Sequence, residues 1–243
     1  MSQLDIYNLA LDALGTRSTV SALNEGSAEA NALNRHYDAA RLEVLAAYEW
    51  SFARQQATLA LLNDATQGQP VPTPWLYEYA VPSNNVRMRY ILPMFNSMPG
   101  TNVGGASVPM FSGPAVKFVM SSDTDSNGND INVLLTNQNQ AIAIYTKSVT
   151  NVALFTSQFT EALRLYLGHR ICIALTGDKQ LSKGLFDEAQ DAIRKAAATN
   201  QDEGLTVNES IPDWLRVRGY ASDWAYPGGS SIYYGPNSLT MVS

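Results

Sequence analysis

Hydrophobic positions open the chain at helical spacing. Leu4, Tyr7, Leu11 and Leu14 follow one another at intervals of three or four, Ser2 stands where a capping side chain belongs, Asp5 follows three residues later, and Gly15 can close the end. A polar loop, "TRSTVSALNEG", separates this helix from a second that starts near Ser27. There Leu33, Tyr37, Ala40, Val44, Tyr48 and Phe52 continue one stripe, with Glu29 in the favourable first turn. The stripe predicts the longest helix of the chain. Extended to about Gln56, at 1.5 Å per residue, it would reach roughly 45 Å.

After "NDATQGQPVPTP" the period changes from helical to two. "WLYEYAVPS", "VRMRYIL", "AVKFVM", "INVLLT" and "QAIAIYTKS" alternate apolar and polar residues between clusters of Gly, Pro, Asn and Ser, which predicts a small antiparallel β region over about 71–150. The stretch "PMFNSMPGTNVGGASVPMFSG" has no period and reads as a long exposed loop. Helical spacing returns in "TSQFTEALRLYLGHRICIALTGD", where Phe159, Leu163, Tyr166, Arg170 and Ile173 trace one line and Gly177 can end it. A last helix carries Leu181, Leu185, Ala189, Ala192 and Ala196 on one face and Asp187, Glu188, Asp191, Arg194 and Lys195 on the other.

The pattern therefore predicts an α+β protein. Residues 1–62 and 154–203 form a helical bundle, 63–153 an inserted antiparallel β subdomain, and 204–243 an extended C-terminal tail. That tail lacks sustained periodicity yet carries Trp214, Tyr220, Trp224, Tyr226, Tyr233 and Tyr234. Disordered linkers are poor in aromatics, so these rings are expected to bury against the domain or a neighbour.

Composition narrows the function. Among 243 residues 45% are apolar, enough for a sizeable core, and the formal charge of -6 with only 16 Lys and Arg argues against a broad basic nucleic-acid surface. The single Cys172 lies in an apolar helical run and reads as a small core residue, since one cysteine builds neither a disulfide framework nor a thiolate metal cluster. The first residues lack a basic leader and no apolar run approaches the length of a membrane span, so the chain is expected to assemble in the cytoplasm without a membrane partner.

Candidate chemistry is sparse. In "DTDSNGND", Asp123, Asp125, Asn127 and Gly128 match the opening of a calcium loop, whose alternating oxygens suit a hard cation. The twelfth position is Leu134 where a bidentate Glu belongs, and the flanks read as strands, so a hairpin turn around Asn127-Gly128 is the preferred reading. His36 and His169 sit in separate helices without zinc spacing and read as helix-face residues. There is no GxSxG elbow. Gly100, Gly104 and Gly105 precede no phosphate-loop Lys, and Gly228-Gly229 precedes no helix. Glycosidase chemistry stays open on sequence alone, because its two carboxylates need not be close in the chain.

Three segments taken in order resemble a known family: "IYNLALDALG", then "RLEVLAAYEWSFARQQATLAL", then "WLYEYAVPSNNVRMRYIL". They are similar to the head-to-tail adaptors of short-tailed bacteriophages, also called tail tubular protein A. The family's "L..LG" helix is matched by Leu11, Leu14 and Gly15, and its "W.FA...A.L" segment by Trp50, Phe52, Ala53, Ala57 and Leu59. Its "Y.Y.LP.D..R" strand is matched by Tyr77, Tyr79, Val81, Pro82 and Arg87, with Ser83-Asn84 in the region where the family carries Asp. The tail segment "IPDWLRVRG" is similar as well.

The resemblance implies a structural virion protein of the phage neck, not an enzyme and without cofactors. It would assemble as a twelve-fold ring beneath the portal protein, offer a platform to the tail nozzle and let double-stranded DNA pass. It also implies a docking tail, for which Trp214, Leu215, Arg216, Tyr220, Trp224 and Tyr226 are the candidate portal contacts. Tyr48 and Phe52 are expected in the bundle core, with Trp50 and Arg54 projecting on adjoining faces of the helix as subunit-interface residues. The alternative from a different class is a β-subdomain ligand-binding module or enzyme with a calcium site near Asp123 and Asp125.

Overall fold

The computed structural model describes residues 1–92, 102–103, 106–107, 116–124 and 128–202, with backbone alone at 102–103, 106–107 and 200–202. It is an α+β protein, with four α-helices and two principal antiparallel sheets among the described residues. Helix α1 spans Gln3–Ala13 and α2 Ala28–Ala47. Seven strands follow within the central region: β1 (Arg54–Thr58), β2 (Leu61–Asp64), β3 (Tyr77–Ala80), β4 (Asn85–Leu92), and, beyond a two-residue ladder of β5 (Asn102–Val103) with β6 (Ala106–Ser107), β7 (Phe118–Thr124), β8 (Asp130–Thr136) and β9 (Ile142–Lys147). The chain returns to helix in α3 (Ser157–Thr176) and α4 (Lys179–Asp202).

Local chemistry sets the helix limits. Ser2 accepts the Asp5 amide while the Asp5 carboxylate accepts the Ser2 amide, a reciprocal capping box, and Ser27 and Thr156 cap α2 and α3 by a single bond each, accepting the amides of Ala30 and Phe159. Gly177 ends α3 at φ +70°, a backbone state that costs glycine no Cβ clash. Helix α3 is apolar nearly all round because it packs against α1, α2 and α4 together. Gly168 permits its close contact with α1, since a Cβ there would lie 3.4 Å from the Ala10 carbonyl oxygen.

The helical core joins Ile6, Tyr7 and Leu11 to Leu33, Tyr37, Phe159, Leu163, Cys172, Leu185 and Ala189. Its polar rim is tied by the Tyr7 hydroxyl, which donates to Asn34 Oδ1 at 2.9 Å, and the Tyr7 and Tyr37 rings meet edge to face at 5.4 Å. A second core lies between the sheets, around Leu59, Tyr79, Met88, Ile91, Leu134, Ala143 and Tyr145. One sheet has the order β1-β9-β4 and the other β2-β3-β8-β7.

The five strands expected from alternation are present, but the boundary of the helical part is not at residue 62. Helix α2 stops at Ala47, about 30 Å after it starts. Tyr48 is already extended at φ -137°, ψ 161°, a single 3-10 turn occupies Ser51–Ala53, and β1 begins at Arg54. The segment read as the end of a long helix is thus a helix-to-strand transition. The apolar stripe runs on because Tyr48 and Phe52 still pack, partly buried, against the helical core although the backbone carrying them is no longer in α2. β1 and β2 carry no strand signature, because "RQQAT" and "LLND" lack apolar alternation; only the ladder to β9 and the pairing to β3 fix them as strands.

Candidate functional site

The expected interface residues gather at the joint between α2 and the β1-β9-β4 sheet. No basic residue stands in the last turn of α2, so the partial negative charge of its end and its free carbonyls must be met from elsewhere. Strand β4 supplies two guanidinium groups. Arg87 Nη1 donates to the Ala46 carbonyl at 2.9 Å. Arg89 Nη2 donates to the carbonyls of Leu45 at 3.3 Å, Ala46 at 3.4 Å and Tyr48, while its Nε donates to Thr146 Oγ1 on β9 at 2.8 Å. Burial, with Arg87 beside it, lowers the Arg89 pKa. Trp50 Nε1 completes the cap by donating to the Val44 carbonyl at 2.8 Å.

The rings follow the same logic. Trp50 is only 2% exposed and meets Phe159 of α3 edge to face at 5.0 Å and Tyr48 at 5.5 Å. Phe52 is half-buried, 5.0 Å from Phe159 and 5.7 Å from Phe155. Tyr48 is also half-buried, its hydroxyl donating to the Ala197 carbonyl at 3.2 Å. The expected division is therefore corrected at Trp50, which is sealed in the core and does not project from a helix face, while Tyr48 and Phe52 pack partly buried against that core. Arg54 does project, pairing with Glu49 at 3.5 Å and donating to the Tyr90 hydroxyl at 2.6 Å. A further tie lies deeper, where the buried Arg41 donates to the Val149 carbonyl at 2.8 Å and Ser148 Oγ at 3.1 Å.

Sequence reasoning placed Arg87 in a motif but gave Arg41 and Arg89 no part. A signal was present: two arginines at alternate positions of a strand, and a helix whose last turn carries no cation. Neither fact alone says that the two elements meet.

Other sequence candidates have structural explanations. His169 Nδ1 lies 3.0 Å from Ser182 Oγ and 2.8 Å from the Ser182 carbonyl, tying α3 to α4; Ser182 is sealed from solvent, so this pair offers no accessible nucleophile. His36 has its pKa pushed down by burial and by Arg170 and Arg35. On the same flank burial raises the Glu43 carboxyl, but hydrogen bonds from Tyr166 and Arg170 outweigh it and hold the carboxyl below its usual value. Cys172 is buried, its Sγ donating to the Asp178 carbonyl at 3.3 Å.

Asp123 is the penultimate residue of β7, whereas Asp125 and Asn127 lie outside the described residues. Leu134, at the calcium-loop position that needs a carboxylate, is fully buried in β8 between β3 and β7, and Gly128 has the φ of +83° that the connecting turn uses. Among the described residues no group of three or more His, Cys, Asp or Glu is arranged to hold a metal ion. None of the described helices is long and apolar enough to cross a membrane. Trp214, Leu215, Arg216, Tyr220, Trp224 and Tyr226 lie outside the described residues, as does most of the 93–113 loop. No protein-family model matches the chain, and no curated protein matches it.

Proposed function

We propose that the chain is a head-to-tail adaptor of a short-tailed bacteriophage, a structural protein that forms a twelve-fold ring between the portal and the tail nozzle and extends the DNA channel. The observation that carries the reading is the place of the motif residues. Trp50, Phe52, Ala53 and Arg87, which make the chain resemble that family, lie where helix α2 is locked to the sheet. A part that joins two assemblies must pass load between them without bending, and guanidinium forks and packed rings in place of a flexible linker meet that need.

The net charge of -6 suits a channel through which DNA slides instead of being gripped at its phosphates. In this reading the chain performs no catalytic step and holds no cofactor; its partners are the portal, the nozzle and further copies of itself. The tail beyond Gly204 docks it on the portal. Mass photometry of the full chain and of a chain ending at Gly204, each mixed with portal rings from the same virus, tests this. Loading of the full chain alone is expected. Failure of the full chain to load at any salt concentration refutes the adaptor.

A further inference from the structure

In the sheet β2-β3-β8-β7, three cross-strand rows run from one edge to the other. Leu61 is opposite Tyr79, Tyr79 opposite Leu134, and Leu134 opposite Met120. The next rows run from Asn63 through Glu78 and Leu135 to Val119, and from Asp64 through Tyr77 and Thr136 to Phe118. In the first row the two central side chains are buried, at 1% and 0% exposure, while Leu61 and Met120 at its ends are 45% and 41% exposed. The apolar layer thus runs off both edges of the sheet at one level. Val119 and Leu62 add to the two ends.

Among the described residues neither outer edge is paired. β7 has a regular seven-residue register without bulge, proline or lysine, is exposed over nearly its whole length and carries one charge, Asp123, near its end, whereas β2 has a single irregularity between Leu61 and Asn63. The outer strand β4 of the other sheet is interrupted twice, against once in β2, and β1 there carries Arg54 and two glutamines.

We propose that β7 of one copy pairs with β2 of the next, so that the four-stranded sheets of successive copies join head to tail into one continuous antiparallel sheet. The direction of the strands allows it. Every neighbouring pair in the sheet is antiparallel and the number of strands is even, so β7 and β2 of one copy run in opposite directions. A second copy related by rotation alone continues the alternation across the boundary, which is the heterologous contact a closed ring needs. Carrying the rows across sets Met120 beside Leu61, Val119 beside Asn63 and Phe118 beside Asp64 of the next copy, with Leu62 left out of the ladder at the β2 irregularity as it is toward β3. The occupant is a second copy because the two edges match in height, direction and apolar content.

Closure into a ring rests on the adaptor reading, whereas the pairing of edges does not. The test is a cysteine pair in the full chain, Leu61→Cys with Met120→Cys, under mild oxidation; the native Cys172 is buried and does not compete. Within one copy the two positions are three strand spacings apart, about 14 Å, too far for a disulfide. The double variant is expected to give a ladder of covalent dimers, trimers and larger species. Neither single variant should do so, and adding Val119→Lys should remove the ladder. Covalent dimers from Met120→Cys alone would mean two-fold pairing of β7 with itself and overturn the proposal. Copies that load on portal rings unaffected by Met120→Lys, with no ladder from the double variant, overturn the edge pairing and leave the adaptor standing. A ladder in the free chain without loading on the portal does the reverse, and absence of both refutes the two together.

Discussion

Replacing Arg89 with Met tests whether the end of α2 is held by strand β4. The substitution keeps much of the aliphatic stem but removes four donor contacts, three of them to carbonyls in the last turn of α2 or just beyond it. Hydrogen bonds from a charged donor contribute about 1.5–3 kcal/mol each when measured singly, but one Nη2 serves three acceptors at unequal distances, so the contacts cannot simply be added. Counting one good bond to the carbonyl cluster, one to Thr146 and the interaction with the helix end, and subtracting the cost of burying the guanidinium, leaves a loss of about 2–4 kcal/mol. Arg87→Met removes a single contact at an exposed site and should cost about 0.5–1 kcal/mol. Arg89→Lys should recover less than half of the loss, because an ammonium cannot make the fork that spans the helix end and Thr146. Urea unfolding read by far-UV circular dichroism gives the three differences from the shift in midpoint, provided the slope is unchanged. An Arg89→Met loss no larger than that of Arg87→Met would refute the joint as drawn.

Two further outcomes follow from neighbouring parts of the fold. Trp50→Phe keeps a ring against Phe159 but leaves the Val44 carbonyl without its indole donor, so it should lose about 2 kcal/mol in the same unfolding assay; a neutral result would mean that water replaces the bond. Glu78 is 2% exposed, accepts from Asn63 at 2.8 Å, and has its pKa raised from 4.5 by burial and by the Asp123 carboxyl. The folded chain therefore binds that proton more tightly than the unfolded one, and the stabilisation is fully present below about 4.5 and lost as pH rises through the higher folded value. Glu78→Gln should raise the thermal midpoint at pH 7, with the gain shrinking toward pH 4. A midpoint lowered at pH 7 would show that the ionised carboxylate is stabilising.

Much of this arrangement is set by the chain's own pattern. Spacing of three and four fixes α1, α3 and α4, since each buries a face that no other period would keep together, and Ser2, Thr156 and Gly177 mark ends that depend only on nearby backbone groups. Alternation likewise fixes β3, β4, β7, β8 and β9, whose inward residues meet in the core between the sheets. The stop of α2 at Ala47 belongs to the tertiary structure. No glycine or proline marks it, and its carbonyls find their partners on Arg87 and Arg89 some forty residues along the chain. β1 and β2 have the same origin, since their polar residues become strand only when β9 and β3 offer hydrogen bonds. Nor does local pattern reveal that Leu61 and Met120 end one row at opposite edges of a sheet. Periodicity records which face of an element turns inward, whereas register, caps supplied from a distance and the level of an edge depend on which elements become neighbours.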